Sequence, residues 1–133
     1  MKKRSELREI IMKVLYQISI FDGTDIDYNI DDLIKEQLEL ENEFVHDTVY
    51  GIIEHKDEII NTANKYLNDW TIDRLNKVDS AILMLGIYEL MYTDTPSVVS
   101  INESIELSKM YSEEAVTKMI NGVLDKIYHE EVK

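Results

Sequence analysis

The sequence predicts an all-α bundle of about seven helices, and three observations carry that reading. Apolar residues recur at helical spacing along most of the 133-residue chain. One proline and four glycines supply too little turn chemistry for a sandwich or barrel of many short strands. Apolar residues at 44% and charged residues at 31% provide material for a core and are too apolar for a disordered chain. The length is that of one domain, so residues 1–133 are expected to form a single unit.

The first helix is written by Leu7, Ile10, Ile11, Val14, Leu15 and Ile18, with Ser5 as a candidate N-cap. Met12, Tyr16 and Ile20 recur every four residues on its opposite side, so this helix has two apolar faces. A turn is expected around residues 21–25. Ile30, Leu33, Ile34 and Leu38, then Phe44, Val45, Val49, Ile52 and Ile53, give one or two amphipathic helices with a break near 40–42. Residues 57–68 form another, and Thr71 caps a short helical segment running to Leu75. Residues 81–92 are apolar almost all round with one charge, Glu89, which predicts a buried central helix. Gly86 inside it costs up to about 1 kcal/mol of helix propensity, and close approach of a neighbouring helix would account for it. Residues 93–97 are the clearest loop. Ser100 with Glu103 reads as a capping box that starts the next helix, and Ser112 as the cap of the last, 113–129.

Several function classes are excluded or weakened. There is no cysteine, which removes disulfides and thiol chemistry. No apolar run approaches the roughly 18–20 residues that span a bilayer, and no signal peptide is visible, so a soluble cytoplasmic protein is expected. Glu43 and His46 have a metal-ligand spacing, but the other histidines, His55 and His129, lack a glutamate three residues before them; a chance match is the better reading and no metal or cofactor is expected. No nucleophile elbow or phosphate-binding glycine loop occurs. The chain reads as a binder and not an enzyme.

Charge is unevenly placed. The net charge is −13, which opposes general nucleic-acid binding. Residues 1–13 hold Lys2, Lys3, Arg4, Arg8 and Lys13 against Glu6 and Glu9, a net of +3, so the other 120 residues carry −16. Ten acids between Asp22 and Asp47 face Lys35 alone. Arg4 and Arg8 neighbour each other along the helix and can fork onto phosphate. Tyr16 offers a ring for base stacking or, equally in keeping with its stripe, an ordinary core side chain.

A family resemblance rests on residues in a fixed order: Val14-Leu15-Tyr16-Gln17; Arg74-Leu75; the run Asp79 to Leu90; Pro96 with Val98 and Val99; Ile101-Asn102-Glu103-Ser104-Ile105-Glu106-Leu107; and Asn121-Gly122-Val123-Leu124-Asp125. Over about residues 4–128 the chain closely resembles the bacterial transcription antitermination factor NusB. The resemblance implies two small helical bundles sharing the long first helix. It implies binding of boxA-type single-stranded RNA in ribosomal RNA leaders, together with the ribosomal protein that serves as NusE, and assembly with other Nus factors on RNA polymerase. It places RNA contacts at the N-terminal bases Lys2, Lys3, Arg4 and Arg8, at Tyr16, and at Lys118 and Met119. The sequence departs from the family pattern at Glu6, Val116 and Met119, where an arginine-rich run, a serine and an aromatic are common. Tyr88, Glu89 and Tyr92 are candidates for the partner surface, with core burial as the alternative, and a homodimer is a further possibility. For Asn121 and Gly122 a structural role is favoured, at a tight helix contact. Two rivals are the RNA-targeting part of a ribosomal RNA methyltransferase, whose cofactor-binding glycine loop is missing from these residues, and a helical adaptor that binds protein alone.

Overall fold

A computed structural model describes residues 2–68 and 70–132. Among them are seven α-helices and no strand: α1 Arg4–Asp22, α2 Ile30–Gln37, α3 Glu43–Glu54, α4 Lys56–Tyr66, α5 Lys77–Tyr92, α6 Ser97–Tyr111 and α7 Glu114–Glu131. A single 3₁₀ turn, Ile72–Arg74, stands where the short segment after Thr71 was expected. The expected break near 40–42 lies between α2 and α3.

The helix starts differ from the sequence reading in an instructive way. Asparagine, not serine or threonine, caps three of the helices. Asn29, Asn42 and Asn76 each accept a hydrogen bond on Oδ1 from the backbone N–H three residues on, at 3.1, 3.0 and 2.8 Å. Ser5 lies inside α1, whose N-cap is Lys3. Ser100 lies inside α6, which begins three residues earlier at Ser97 behind Pro96; its buried hydroxyl makes no hydrogen bond among the described residues. Ser112 precedes α7, yet its hydroxyl donates to the buried Asp79 carboxylate of α5. Serine and threonine are versatile donors, so the same residue serves a cap or a cross-helix bond according to what surrounds it.

α1 is the shared element. It packs against α2 and α3 on one side and α5 on the other, while α4, α6 and α7 gather around α5. Its two-faced burial is only half as expected. Met12 is 1% exposed, but Tyr16 and Ile20, in the same stripe, are each 37% exposed. α5 is buried nearly all round through Ala81, Ile82, Leu83, Leu85, Ile87 and Leu90. Gly86 answers the close approach predicted for it: a Cβ there would lie 2.6 Å from Ser104 Oγ and 3.0 Å from Leu124 Cδ1, so α6 and α7 both press on this point. Gly51 of α3 plays the same part for the other bundle, because a Cβ there would overlap the Tyr88 hydroxyl. The missing side chains let helices approach closely, at a cost in helix propensity that packing repays.

Candidate nucleic-acid interface

The N-terminal bases divide sharply. Lys2, Lys3 and Arg4 are exposed. The Arg4 guanidinium lies over the Phe44 ring, 3.9 Å from its centroid, so α3 provides a shelf for the basic tip. Arg8, one turn on, is 4% exposed and held by two carboxylates. Its Nε and Nη2 donate to the two carboxylate oxygens of Glu89 at 2.7 and 2.9 Å, and Nη1 donates to Glu103 at 3.1 Å. Burial opposes the Arg8 charge, but the hydrogen bonds and fields of Glu89 and Glu103 outweigh it and raise its pKa. This corrects two expectations. Arg8 is buried between two carboxylates, with three of its five N–H donors engaged, and is not presented to a phosphate, and Glu89, 2% exposed, is turned toward Arg8 and not toward a partner. One physical reason explains both: a lone charge in an apolar helix needs an opposite charge beside it.

Tyr16 is exposed on α1, and its hydroxyl has no partner among the described residues. One turn toward the N-terminus, Lys13 is exposed and 3.7 Å from Glu9. Glu9 also accepts a hydrogen bond from the Tyr111 hydroxyl at the end of α6, and that bond, with burial added, pushes Tyr111 up to about 12. On α7, Lys118 projects into solvent with a loose pairing to Glu114 at 3.7 Å, while Met119 is half-buried against the core. Asn121 and Gly122 contradict their expected structural role. Both are exposed, the Asn121 side-chain amide makes no hydrogen bond among the described residues, and a Cβ on Gly122 would meet nothing within 4 Å.

The NusB family model matches residues 5–129. The chain belongs to the NusB family. Among NusB relatives, the transcription antitermination protein NusB of Listeria innocua is 41% identical over 131 residues, covering 97% of this chain and 98% of that protein. That of Bacillus subtilis is 38% identical over 128 residues, covering 94% of each. The solved NusB of T. maritima superposes with a TM-score of 0.85 at 30% identity, covering 99% of this chain and 94% of that one. A crystal structure of the antitermination factors NusB and NusE with double-stranded RNA matches at a TM-score of 0.81 and 28% identity, covering 95% and 96%.

In this NusB-family chain the other two partner candidates sit on a half-buried aromatic stack. Tyr92 stacks on His55 at 4.1 Å and on Tyr88 at 5.7 Å, and its hydroxyl donates to Glu58 at 2.9 Å. Burial, then that bond, pushes Tyr92 up to about 12. Val98 and Val99, on the first turn of α6, are exposed apolar side chains. Sequence reasoning missed Phe44 as the Arg4 shelf and Glu103 as the second Arg8 acceptor. The isolation of Glu89 in its apolar helix was a usable signal for a buried ion pair; nothing local pointed to Phe44. No group of three or more metal-ligating side chains occurs among the described residues, and no helix is long and apolar enough to cross a membrane.

Proposed function

We propose that this NusB-family chain acts in transcription antitermination in the cytoplasm as a non-catalytic RNA-binding subunit. It takes boxA-type unpaired RNA of ribosomal RNA leaders together with the ribosomal protein NusE, and the pair joins other Nus factors on RNA polymerase. The observation that carries the reading is Tyr16: a side chain 37% exposed on the shared helix, with a hydroxyl that has no partner among the described residues. Stacking on such a ring contributes about 1–3 kcal/mol per base and tolerates any base. Lys2 and Lys3 just before α1, Arg4 on its first turn, and Lys118 on α7 supply phosphate contacts. Arg8 acts one step back, fixing α1 against α5 and α6 so that the tip is presented in one register.

The charge balance explains the need for a partner. A chain of net −13 repels RNA at long range, and burying Arg8 against Glu89 removes one cation from the tip. A basic partner docked on Tyr92, Val98 and Val99 would supply the missing field. The solved NusB–NusE complex that this chain resembles holds double-stranded RNA. The test is therefore a titration of unpaired and duplex boxA-like RNA, with and without the ribosomal partner. The expected result is tighter binding of the unpaired form and a clear gain with partner; equal affinity with and without it refutes the assistance. Tyr16→Ala should weaken unpaired RNA by about 1–3 kcal/mol while thermal stability moves within about 0.5 kcal/mol. Intact RNA affinity in that variant places the site elsewhere.

A further inference from the structure

The acidic stretch between Asp22 and Asp47 has no part in holding RNA, yet the fold gives some of its carboxylates a common setting. Asp31, Glu39, Glu41, Glu43 and Asp47 line a groove of about 560 Å³ formed by α2, the connection to α3 and the first turns of α3. All five are exposed, and none is paired with a lysine or arginine among the described residues. Asp31 accepts from the Tyr50 hydroxyl, and Asp47 meets only the His46 ring, at 3.2 Å.

Part of this charge is accounted for locally. Asp31 and Glu43 stand in the first turns of α2 and α3, where the positive end of the helix dipole favours them. Glu39, Glu41 and Asp47 have no such support, and gathered like charges repel one another. Between Glu39 and Glu41, Leu40 is 79% exposed, more than any other large apolar side chain among the described residues. A single exposed leucine needs no account, but Ile34 and Leu38, both half-buried, line the same groove. An apolar floor rimmed by charges of one sign is a surface complementary to a partner of the other sign.

The surface also narrows what that partner is. Its sign turns away nucleic acid and anionic lipid. No three metal-ligating side chains converge among the described residues, so the positive charge that fits is spread along a chain and not held on one ion. The apolar floor calls for an apolar side chain, which a polyamine lacks. A second copy of this chain offers only its basic tip, and Arg4 of that tip is already seated 3.9 Å from the Phe44 ring centroid.

We propose that the α2–α3 groove docks a lysine- or arginine-rich segment of a partner protein. One apolar side chain of the segment sets against Leu40, Ile34 and Leu38, and its cations range over the five carboxylates. Glu43 and Asp47 also line the hollow that holds Arg4 and Tyr88, so the groove abuts the basic tip. This surface is independent of the RNA site proposed above, and neither falls with the other.

The experiment follows fluorescence anisotropy on the full chain. The probe is a short labelled oligolysine peptide with one central leucine. Its comparisons are the same peptide with serine for leucine, a glutamate counterpart, and spermidine as competitor. The leucine peptide should bind more tightly as salt is lowered, and the serine peptide about tenfold more weakly. The glutamate peptide should not bind. Leu40→Ser should erase the advantage of leucine over serine. Glu39→Lys with Glu41→Lys should weaken the leucine peptide about tenfold or more, whereas Glu106→Lys with Glu130→Lys, an equal change of net charge on α6 and α7, should cost about twofold at most. Equal losses in the two double variants would mean attraction to net charge alone and overturn the groove. So would a leucine advantage that survives Leu40→Ser, or spermidine displacing the peptide as well as unlabelled leucine peptide does. Self-association of the parent that the Glu39→Lys, Glu41→Lys pair abolishes would assign the groove to a second copy and overturn the partner segment.

Discussion

Helices α2 and α5 are opposite extremes of the same fold. α2 has eight residues and buries one of them, Leu33, beneath a surface of carboxylates. α5 has sixteen and buries nine, including two acids, Asp79 and Glu89. The first is held by Leu33, by the half-buried Ile30 and Ile34, and by Tyr50 of α3, whose hydroxyl donates to Asp31 at 2.7 Å. The second is the axis around which α1, α4, α6 and α7 are arranged. Acidic residues therefore do two unrelated jobs in one chain. On α2 they are solvated surface, and in α5 they are partners demanded by buried groups. Position relative to the core, and not residue type, decides which job a carboxylate has.

The largest effect should come from breaking the buried ion pair that ties α1 to this axis. Arg8→Ala should destabilise by about 3–5 kcal/mol, read by denaturant unfolding, because it leaves Glu89 charged and buried without its partner. Replacing both residues by well-packed apolar ones should recover most of that loss. A loss below about 1 kcal/mol in the single variant would mean the pair is more hydrated than its geometry shows.

Cavity substitutions sharpen the contrast between the bundles. Leu124→Ala, beside Gly86 in the dense bundle, should cost about 3–5 kcal/mol, and Leu33→Ala about 2–3 kcal/mol. Native-state hydrogen exchange should show α2 amides opening at lower free energy than those of α5. Equal protection of the two helices would remove the distinction.

The smallest effect is alkaline. The bond to Asp31, with burial added, pushes Tyr50 up to about 12, above the ordinary tyrosine value of 10. A raised folded-state pKa means that the protonated phenol is favoured in the folded chain. Its stabilisation is complete below about pH 10 and is lost as pH rises toward 12. Melting temperature should fall across that window, and Tyr50→Phe should make the fall shallower. Tyr92 and Tyr111 titrate in the same range, so the slope in Tyr50→Phe should be reduced and not abolished.

The order of helices was legible in the sequence because periodicity survives wherever a face is buried. Gly86 was legible too, since a glycine in an apolar helix has few uses other than close packing. The fate of charges and hydroxyls was not. Arg8 and Glu89 are 81 residues apart, and no local pattern joins them. Ser100 and Glu103 have the spacing of a capping box, but that spacing also places two residues on one face of a helix interior. Exposure of Tyr16 could not be told from burial, because its stripe is continuous in sequence and only Met12 is covered in space. Asn121 and Gly122 were read as packing residues for want of any sign of which way their helix faces.

The overlap at Gly51 and Tyr88 has a consequence for how this chain can vary. The phenol occupies the volume that any side chain at position 51 would need. A bulkier residue at 51 becomes admissible only after position 88 has shrunk, and a smaller residue at 88 leaves a gap that only position 51 can fill. The two sites are thus a single unit of inheritance: across homologous sequences they should trade volume in step, and a double exchange should succeed where either half alone fails.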